Sequence, residues 1–477
     1  MPSTPQQIAP SANLYLNAIQ WDGWRWSDGP SAGTNIAYYF GPANQDLSPL
    51  HEGELAGFLS LPWDEWGKAA YRNALQQWAN VANLSFTEVF DYSAADLVEF
   101  VFIDPYAPFG IHEVPEHAAW YDGTAWGAYN AFEVAPSSVQ PGGFNFITLV
   151  HELGHALGLS HPHDDTVFPG VEGEDDWGAN NLNQGIFTTM GYNDGWPEIY
   201  EVYNDSPPSN MDWSWQSGPM AFDIAAIQYL YGPNMSFHAG DDVYSLPNTN
   251  GPGTYWSCIW DAGGTDWIVH DGVGDAVIAL VAATLDNSLT GGGVPSGVDE
   301  ILGGFTIANG VTIENASGGS GNDYIFGNAV GNLLYGNGGN DSIGGAFGID
   351  LLSGGAGFDL LVGGGGKDFL YGGNDADVFR YLNTNETRKG AGRDVIADFQ
   401  RLADKIDVSA IDAIKGGGNQ IFKWIGKKGF HERAGELHLV KKAGYVLVEG
   451  DINGDGRADF QIQVDGVGAL ARGDFIL

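Results

Sequence analysis

The sequence has one cysteine, Cys258, among 477 residues. A single thiol excludes an intrachain disulfide framework. Cys258 lies between Ser257 and Ile259 in an apolar run, which reads as a small core residue rather than a nucleophile. Cations are also scarce: 19 Lys+Arg stand against 60 Asp+Glu, a formal net charge of −41 at pH 7. Such a chain lacks the basic footprint that neutralises phosphates, which excludes nucleic-acid binding. It also has no attraction for anionic membrane surfaces. There is no 18-residue apolar stretch, and a membrane-spanning helix is not expected. The start, Met1-Pro2-Ser3-Thr4-Pro5, has neither a basic n-region nor an apolar h-region, so no secretory signal peptide is expected.

The shortage of cations is local. Residues 1–317 hold 39 acids and three bases, Arg25, Lys68 and Arg72, whereas residues 381–477 hold 14 of each. Hydrophobic residues make up 43% and aromatics 13%, enough for a buried core. The length is that of two or three domains.

Glycine is in excess, 71 of 477 residues, about twice the usual share of roughly 7%. Much of it marks a nine-residue unit that recurs seven times from Gly318 without a slip. The first position is always glycine. The sixth reads Asp323, Asn332, Asp341, Asp350, Asp359, Asp368, Asp377, and the eighth reads Ile325, Leu334, Ile343, Leu352, Leu361, Leu370, Phe379. A Gly-rich linker has no phase for Asp or Leu; this pattern is the nonapeptide of a calcium-binding parallel β-roll. Glycine permits tight loops with positive φ, and the eighth residue points inward from a short strand. Two units make one turn, so carboxylates stack at a spacing of 18, Asp323 on Asp341, Asp341 on Asp359, Asp359 on Asp377 and Asp350 on Asp368. Hard oxygen ligands suit Ca²⁺, and Asn332 is the weak member. Without Ca²⁺ these carboxylates repel, which makes the roll a folding switch.

His151-Glu152-Leu153-Gly154-His155-Ala156-Leu157-Gly158-Leu159-Ser160-His161 has the form HExxHxxGxxH. His151 and His155, at i and i+4, share a helix face and can chelate one Zn²⁺. Gly158 permits a sharp turn that ends the helix and returns His161 as third ligand. Glu152 sits beside the open coordination position, where it can act as general base on water. Downstream, Thr188-Thr189-Met190-Gly191-Tyr192 offers a methionine turn beneath the metal and a phenol near it.

These motifs resemble the serralysin family of metzincin proteases. Trp78–Glu88 is similar to the helix-to-strand entry of that family's catalytic domain, and Asp223–Gly232 to its last helix. Trp260–Asp266 and Val311–Asn315 resemble the entry to its roll, which implies calcium ligation by Asp261, Asp266 and Glu314. Asp394–Val408 resembles the closing β region, and Asp474-Phe475-Ile476-Leu477 an export tail. The resemblance implies an α+β metzincin-like catalytic domain over residues 1–235. It also implies an all-β parallel β-roll and β-sandwich domain over 236–477, with repeats at 318–380. It implies a secreted, calcium-stabilised zinc metalloendopeptidase that hydrolyses proteins, with one catalytic Zn²⁺ and several structural Ca²⁺. In it Tyr192 ligates zinc at rest and swings to stabilise the oxyanion. Export would be signal-peptide-independent, through an ABC-type apparatus, and the protein is expected to be a monomer without membrane insertion. A non-peptidase zinc hydrolase and a calcium-dependent adhesin with a structural zinc site are the alternatives.

The chain departs from the family in places. The aromatic stretch with Trp120, Tyr121, Trp126 and Tyr129 does not match the family's substrate-binding edge strand. His163 follows Pro162 where the family commonly has a small residue, as an extra ligand or a loop histidine. The loop Asp164–Asp176 is acidic, Asp165 included, and either shapes the cleft or is simply solvated. Asp451–Asp459 has the spacing of a calcium loop but no glutamate at a twelfth position, leaving calcium binding and an Asn/Asp/Gly turn both open. Missing cations leave few trypsin-type sites and a negative field that favours cationic peptides.

Overall fold

The structure, a computed structural model, describes residues 3–28, 33–50, 55–120, 123–131, 134–164, 166–193, 213–416, 418 and 420–477. Tyr121 and Asp165 lie outside them.

Chain order in the first part is β1 (Thr4–Gln7), α1 (Leu14–Ala18), β2 (Trp24–Ser27), β3 (Thr34–Phe40), α2 (Glu65–Val81), β4 (Leu84–Glu88), β5 (Leu97–Phe102), β6 (Gly110–His112), α3 (Pro115–Trp120), β7 (Ala125–Asn130), α4 (Phe144–Ala156) and α5 (Ala221–Tyr231). Asp64 caps α2 by accepting the Gly67 N–H, and Ala70, Tyr71, Ala74, Leu75, Trp78 and Val81 form its buried stripe. That 3-4 spacing fixes the face that packs on α4, where the Trp78 indole donates to the Val150 carbonyl at 3.1 Å. The sheet runs β4-β3-β5-β7-β6. It is parallel except for β6, which lies antiparallel to β7 at the edge, with Ile111 opposite Ala128. This edge runs alongside α4, the helix of the HExxH motif.

The second part contains sheets of eleven and ten strands. Alternate nonapeptides fall into opposite sheets. Ile325, Ile343, Leu361 and Phe379 are in register down one, and Leu334, Leu352 and Leu370 down the other. All seven are buried, as the two-units-per-turn reading requires. The ladders begin before the repeats, with Val243–Ser245 and Trp267–Val269, and continue after them through Val395–Ile396 and Lys405–Asp407. The closing region is an antiparallel meander, Glu436–Lys441, Tyr445–Asp451 and Phe460–Asp465, whose last strand joins the roll sheet. Phe475–Ile476 pairs with Lys405–Asp407 as the last strand of the other sheet.

The first-position glycines need an amended reason. None of the seven has positive φ. A Cβ on Gly336, Gly354 or Gly372 would instead lie 2.1–2.3 Å from the carboxylate Oδ2 of its own unit, Asp341, Asp359 or Asp377. Left-handed backbone falls on the second position, at Asn337, Ala346, Gly355, Gly364 and Gly373. Position one is therefore reserved by lack of space, because the aspartate folds back over it. Cys258 packs against the core as expected, and burial pushes its thiol up to about 12.

Candidate active site and cation columns

The helix α4 carries His151 and His155 one turn apart, ends at Ala156 and is followed by the turn at Gly158. That residue has φ +100°, and a Cβ there would meet the Trp24 carbonyl oxygen at 2.1 Å. Only glycine satisfies both demands. The N-terminal segment braces the turn that follows: Trp21 N–H donates to the Gly158 carbonyl (2.9 Å), Ser160 N–H to Ile19 (3.2 Å) and the Ser160 hydroxyl to Ala18 (3.1 Å). The turn returns His161 to the helix.

The three Nε2 atoms of His151, His155 and His161 converge at 3.0–3.2 Å from one another. Each Nδ1 faces an acceptor: the Thr189 carbonyl at 2.7 Å, the Leu159 carbonyl at 2.9 Å and Asp164 Oδ2 at 3.1 Å. These acceptors fix the proton on Nδ1. Three Nε2 lone pairs are thus directed at one another, an arrangement that could hold a cation between them. Three imidazoles with a fourth position open are the donor set of a catalytic zinc. Burial pushes His151 down to about 3, with His161 adding to the effect, and carries His155 well below its usual value. Both rings are neutral near pH 7, as ligands must be. The Tyr192 hydroxyl lies 2.9 Å from His161 Nε2, so the structure brings it to the same point.

Glu152 projects beside this centre and is buried. Burial raises its carboxyl to about 8, the range of a group that exchanges protons near neutrality. The edge strand passes directly over it, since a Cβ on Gly110 would stand 2.5 Å from Glu152 Cγ. Behind the strand lies a buried pair absent from the sequence reading, with His112 Nε2 3.1 Å from Glu99 Oε1 and His112 Nδ1 2.7 Å from the Glu113 carbonyl. Burial, the largest single cause, lowers the His112 pKa; the Glu99 carboxylate, the Glu113 carbonyl and Glu152 together offset it, and the net shift is upward.

The methionine turn sits where the motif places it. Met190 is fully buried, and a Cβ on Gly154 would meet its sulfur at 2.5 Å. What fixes the turn is Asp223 of α5, which accepts from the Thr188 hydroxyl (2.6 Å), Thr189 N–H (2.6 Å) and Met220 N–H (2.9 Å). The Thr189 carbonyl in turn holds His151. Asp223→Asn is expected to weaken zinc binding by about 10- to 100-fold through this chain of contacts, read by competition with a chelator. Unchanged affinity would mean that the turn holds without it.

Two cavities flank the centre. One, about 410 Å³, is lined by Phe109, Phe144, Ile147, Thr148, Trp215 and the Gly191–Asn193 segment. The other, about 320 Å³, is lined by Trp21, His112, His117, Asp164 and the clustered histidines His155 and His161. Glu152 and Tyr192 border both. Of the acidic loop, Asp164 reaches the site and orients His161; Glu172 and Asp176 bond within the loop.

In the roll, each sixth-position carboxylate accepts the backbone N–H of the residue one turn earlier. Asp341 Oδ1 takes Asp323 N–H, Asp359 takes Asp341, Asp377 takes Asp359, and Asp368 takes Asp350, at 2.8–3.0 Å. The other oxygen, Oδ2, of Asp341, Asp350, Asp359, Asp368 and Asp377 is buried with no hydrogen-bond partner among the described residues. Asp323 differs, its Oδ2 accepting from Gly319 N–H. Asn332 instead meets its own needs, donating to the Glu314 carbonyl and accepting from Asn328 N–H. The columns run past the repeats to Asp394 and Asp404, which take Asp368 N–H and Asp377 N–H at 3.0 and 3.2 Å. Asp394 Oδ2 is also orphaned. Burial is the first cause that raises these carboxyls, to about 7 for Asp341, Asp350 and Asp377, about 6 for Asp359 and Asp368, and about 8 for Asp394.

At the roll entry, Asp266 N–H donates to Glu314 Oε2 at 2.9 Å, and Asp266 Oδ2 is buried without a partner among the described residues. Asp261 adds to the negative field at Asp266 and groups with His238 and Asp242 within 4.8 Å. In Asp451–Asp459 both oxygens of Asp451 and of Asp459 accept hydrogen bonds from the loop itself.

The sequence matches the Matrixin family over residues 61–172 and the family described as Peptidase M10 serralysin C terminal over residues 222–477. It is 34% identical to Metallopeptidase AprA of Pseudomonas marginalis, covering 94% of this chain and 88% of that one. It is 32% identical to a Serralysin of Photorhabdus laumondii, over 98% of this chain and 91% of the other. Serralysin G of Dickeya chrysanthemi is 35% identical over 85% of this chain and 78% of its own length.

Proposed function

Because the chain belongs to the serralysin family of metallopeptidases and is a zinc metalloendopeptidase, we propose that its peptide hydrolysis runs on His151, His155 and His161 as zinc ligands. Glu152 is the general base, and Tyr192 completes the ligand set at rest. The observation that carries this is the convergence of three Nε2 atoms whose Nδ1 protons are all committed elsewhere. Bound Zn²⁺ supplies Lewis-acid polarisation of the scissile carbonyl and the attacking water. Glu152 takes a proton from that water and returns it to the leaving amine nitrogen. The Tyr192 phenol donates a hydrogen bond to the carbonyl oxygen as negative charge develops there, which helps the transition state more than the ground state. Digestion of casein by the zinc- and calcium-loaded protein, with peptide mapping of the products, tests this. No cleavage would favour a non-peptidase hydrolase.

The catalytic domain is read as residues 1–235 and the calcium-binding domain as 236–477. Ca²⁺ would be held by Asp323, Asp341, Asp350, Asp359, Asp368 and Asp377, and at the entry by Asp261, Asp266 and Glu314. Buried carboxylate oxygens left without a partner among the described residues support that reading at Asp266, Asp341, Asp350, Asp359, Asp368 and Asp377, because each is costly to leave unpaired; Asp261, Glu314 and Asp323 rest on the resemblance and the repeat. The protein is read as a secreted monomer, exported by an ABC-type apparatus and folding on meeting Ca²⁺. Among the described residues no helix is long and apolar enough to cross a membrane.

Substrate choice follows from the cleft. Phe144 meets Phe109 and Trp215 edge-on, with centroids at 4.8 and 5.0 Å, and forms an apolar wall beside the centre. A bulky apolar side chain next to the scissile bond should be preferred. Replacing it by Asp should lower kcat/KM at least about tenfold, and indifference to that change would contradict the pocket assignment. The charge acts at longer range. All three bases before residue 318 are engaged, Arg72 with Glu88, Lys68 with Glu65, and Arg25 with the Leu230 carbonyl. Cationic peptides should therefore exceed matched anionic ones in kcat/KM by about tenfold or more at low salt, and the gap should narrow as salt rises. Equal values at low salt would rule out steering.

A further inference from the structure

His163 stands two residues past the third zinc ligand. Its ring stacks on His161, with centroids 5.0 Å apart and planes 12° apart, and lies 5.1 Å from the Tyr192 ring. Its Nδ1 is buried and has no hydrogen-bond partner among the described residues. A loop histidine in water would not leave a ring nitrogen so placed. Beside it, Asp164 accepts the His161 backbone N–H at 2.8 Å through Oδ2, the same oxygen that lies 3.1 Å from His161 Nδ1. Asp164 Oδ1, 3.4 Å from His161 Nδ1, is the less engaged oxygen. Ligand atoms of His161, His163 and Asp164 all lie within 4.8 Å of one another.

The geometry points to a second, weaker cation site made by His163 and Asp164, next to the three-histidine centre, which takes Zn²⁺ when zinc is in excess and slows the enzyme. This rests on reading His151, His155 and His161 as the catalytic zinc site. An imidazole nitrogen and a carboxylate are borderline donors that suit Zn²⁺ and other late divalent cations over Ca²⁺. Two protein ligands with water completing the shell make the site weaker than the first. Its effect on catalysis follows from a shared group. Asp164 is the acceptor that orients His161, so a cation on that carboxylate competes with the His161 Nδ1 proton and loosens the third ligand.

Zinc titration of the full-length, metal-depleted protein in saturating Ca²⁺, followed by calorimetry, tests this without recourse to turnover. The wild type should show one tight and one weaker class of Zn²⁺ binding. His163→Ala should keep the tight class and lose the weaker one, and His163→Asn, closer in size, should do the same if the loop is otherwise undisturbed. In parallel, inhibition by excess Zn²⁺ should need at least tenfold more zinc in both variants. A single class in the wild type, or an unchanged weaker class and unchanged inhibition in the variants, would overturn the second site while leaving the catalytic one intact. Absence of the tight class in the wild type would overturn the catalytic reading and this one with it.

Discussion

Glu152→Gln should lower kcat on a peptide substrate by about 10²- to 10⁴-fold, the usual worth of a general acid–base group, and leave one zinc bound. The amide keeps the shape that packs beneath Gly110 but cannot take a proton from water or pass it to an amine. Its position is separate from the ligand cluster, since the three Nε2 atoms converge without it. KM should change little, because the side chain acts on the reacting atoms rather than on remote substrate groups. A protein whose zinc is purely structural would be indifferent to this change. Retained turnover with zinc in place would therefore remove Glu152 from the chemistry.

The second large effect concerns calcium. Chelation at pH 8 should unfold the roll, and chelation at pH 5 should have a much smaller effect. The sign follows from the carboxyls. Their folded values, about 6 to 8 for Asp341, Asp350, Asp359, Asp368, Asp377 and Asp394, lie above the ordinary unfolded value of about 4. Without a cation, the fold is most stable below pH of about 4, where the groups are neutral in both states. It loses stability as pH rises through 6 to 8. Each Ca²⁺ site held at a hundred times its Kd restores about 2.7 kcal/mol. A few such sites match the net stability of a whole domain, about 5–15 kcal/mol. Circular dichroism against pH, with and without Ca²⁺, reads this out. A calcium effect equal at pH 5 and pH 8 would contradict the assignment of these columns. Gly354→Ala supplies a local check. Its Cβ would meet Asp359 Oδ2 at 2.1 Å, so it should shift that carboxylate and weaken calcium binding although the substitution adds one methyl group.

Both features were legible in the sequence because each is local. The three histidines read as zinc ligands sit within eleven residues, and the roll repeats at a fixed period with no insertion. What escaped depends on contacts between distant segments. Asp394 and Asp404 extend the carboxylate columns, but they follow Asp368 and Asp377 by 26 and 27 residues rather than 18, so the period no longer marks them. Asp223 lies in a helix that the resemblance identified, yet its grip on the methionine turn spans about 34 positions and carries no spacing rule. Glu99 and His112 come from strands separated by β7 in the sheet, and nothing in either strand alone signals a buried pair behind Glu152. The reason for the first-position glycines was also hidden. Sequence shows that glycine is required, whereas only the fold shows that space, not positive φ, is the cause.

The most direct measurement is a zinc titration of the metal-depleted, calcium-loaded protein, followed by hydrolysis of an internally cleaved peptide. Activity should rise from near zero in proportion to added zinc and reach its maximum at one equivalent per chain. His155→Ala should show no such rise. Full peptidase activity in the absence of zinc, or a maximum reached with His155 removed, would contradict the three-histidine centre as the seat of hydrolysis.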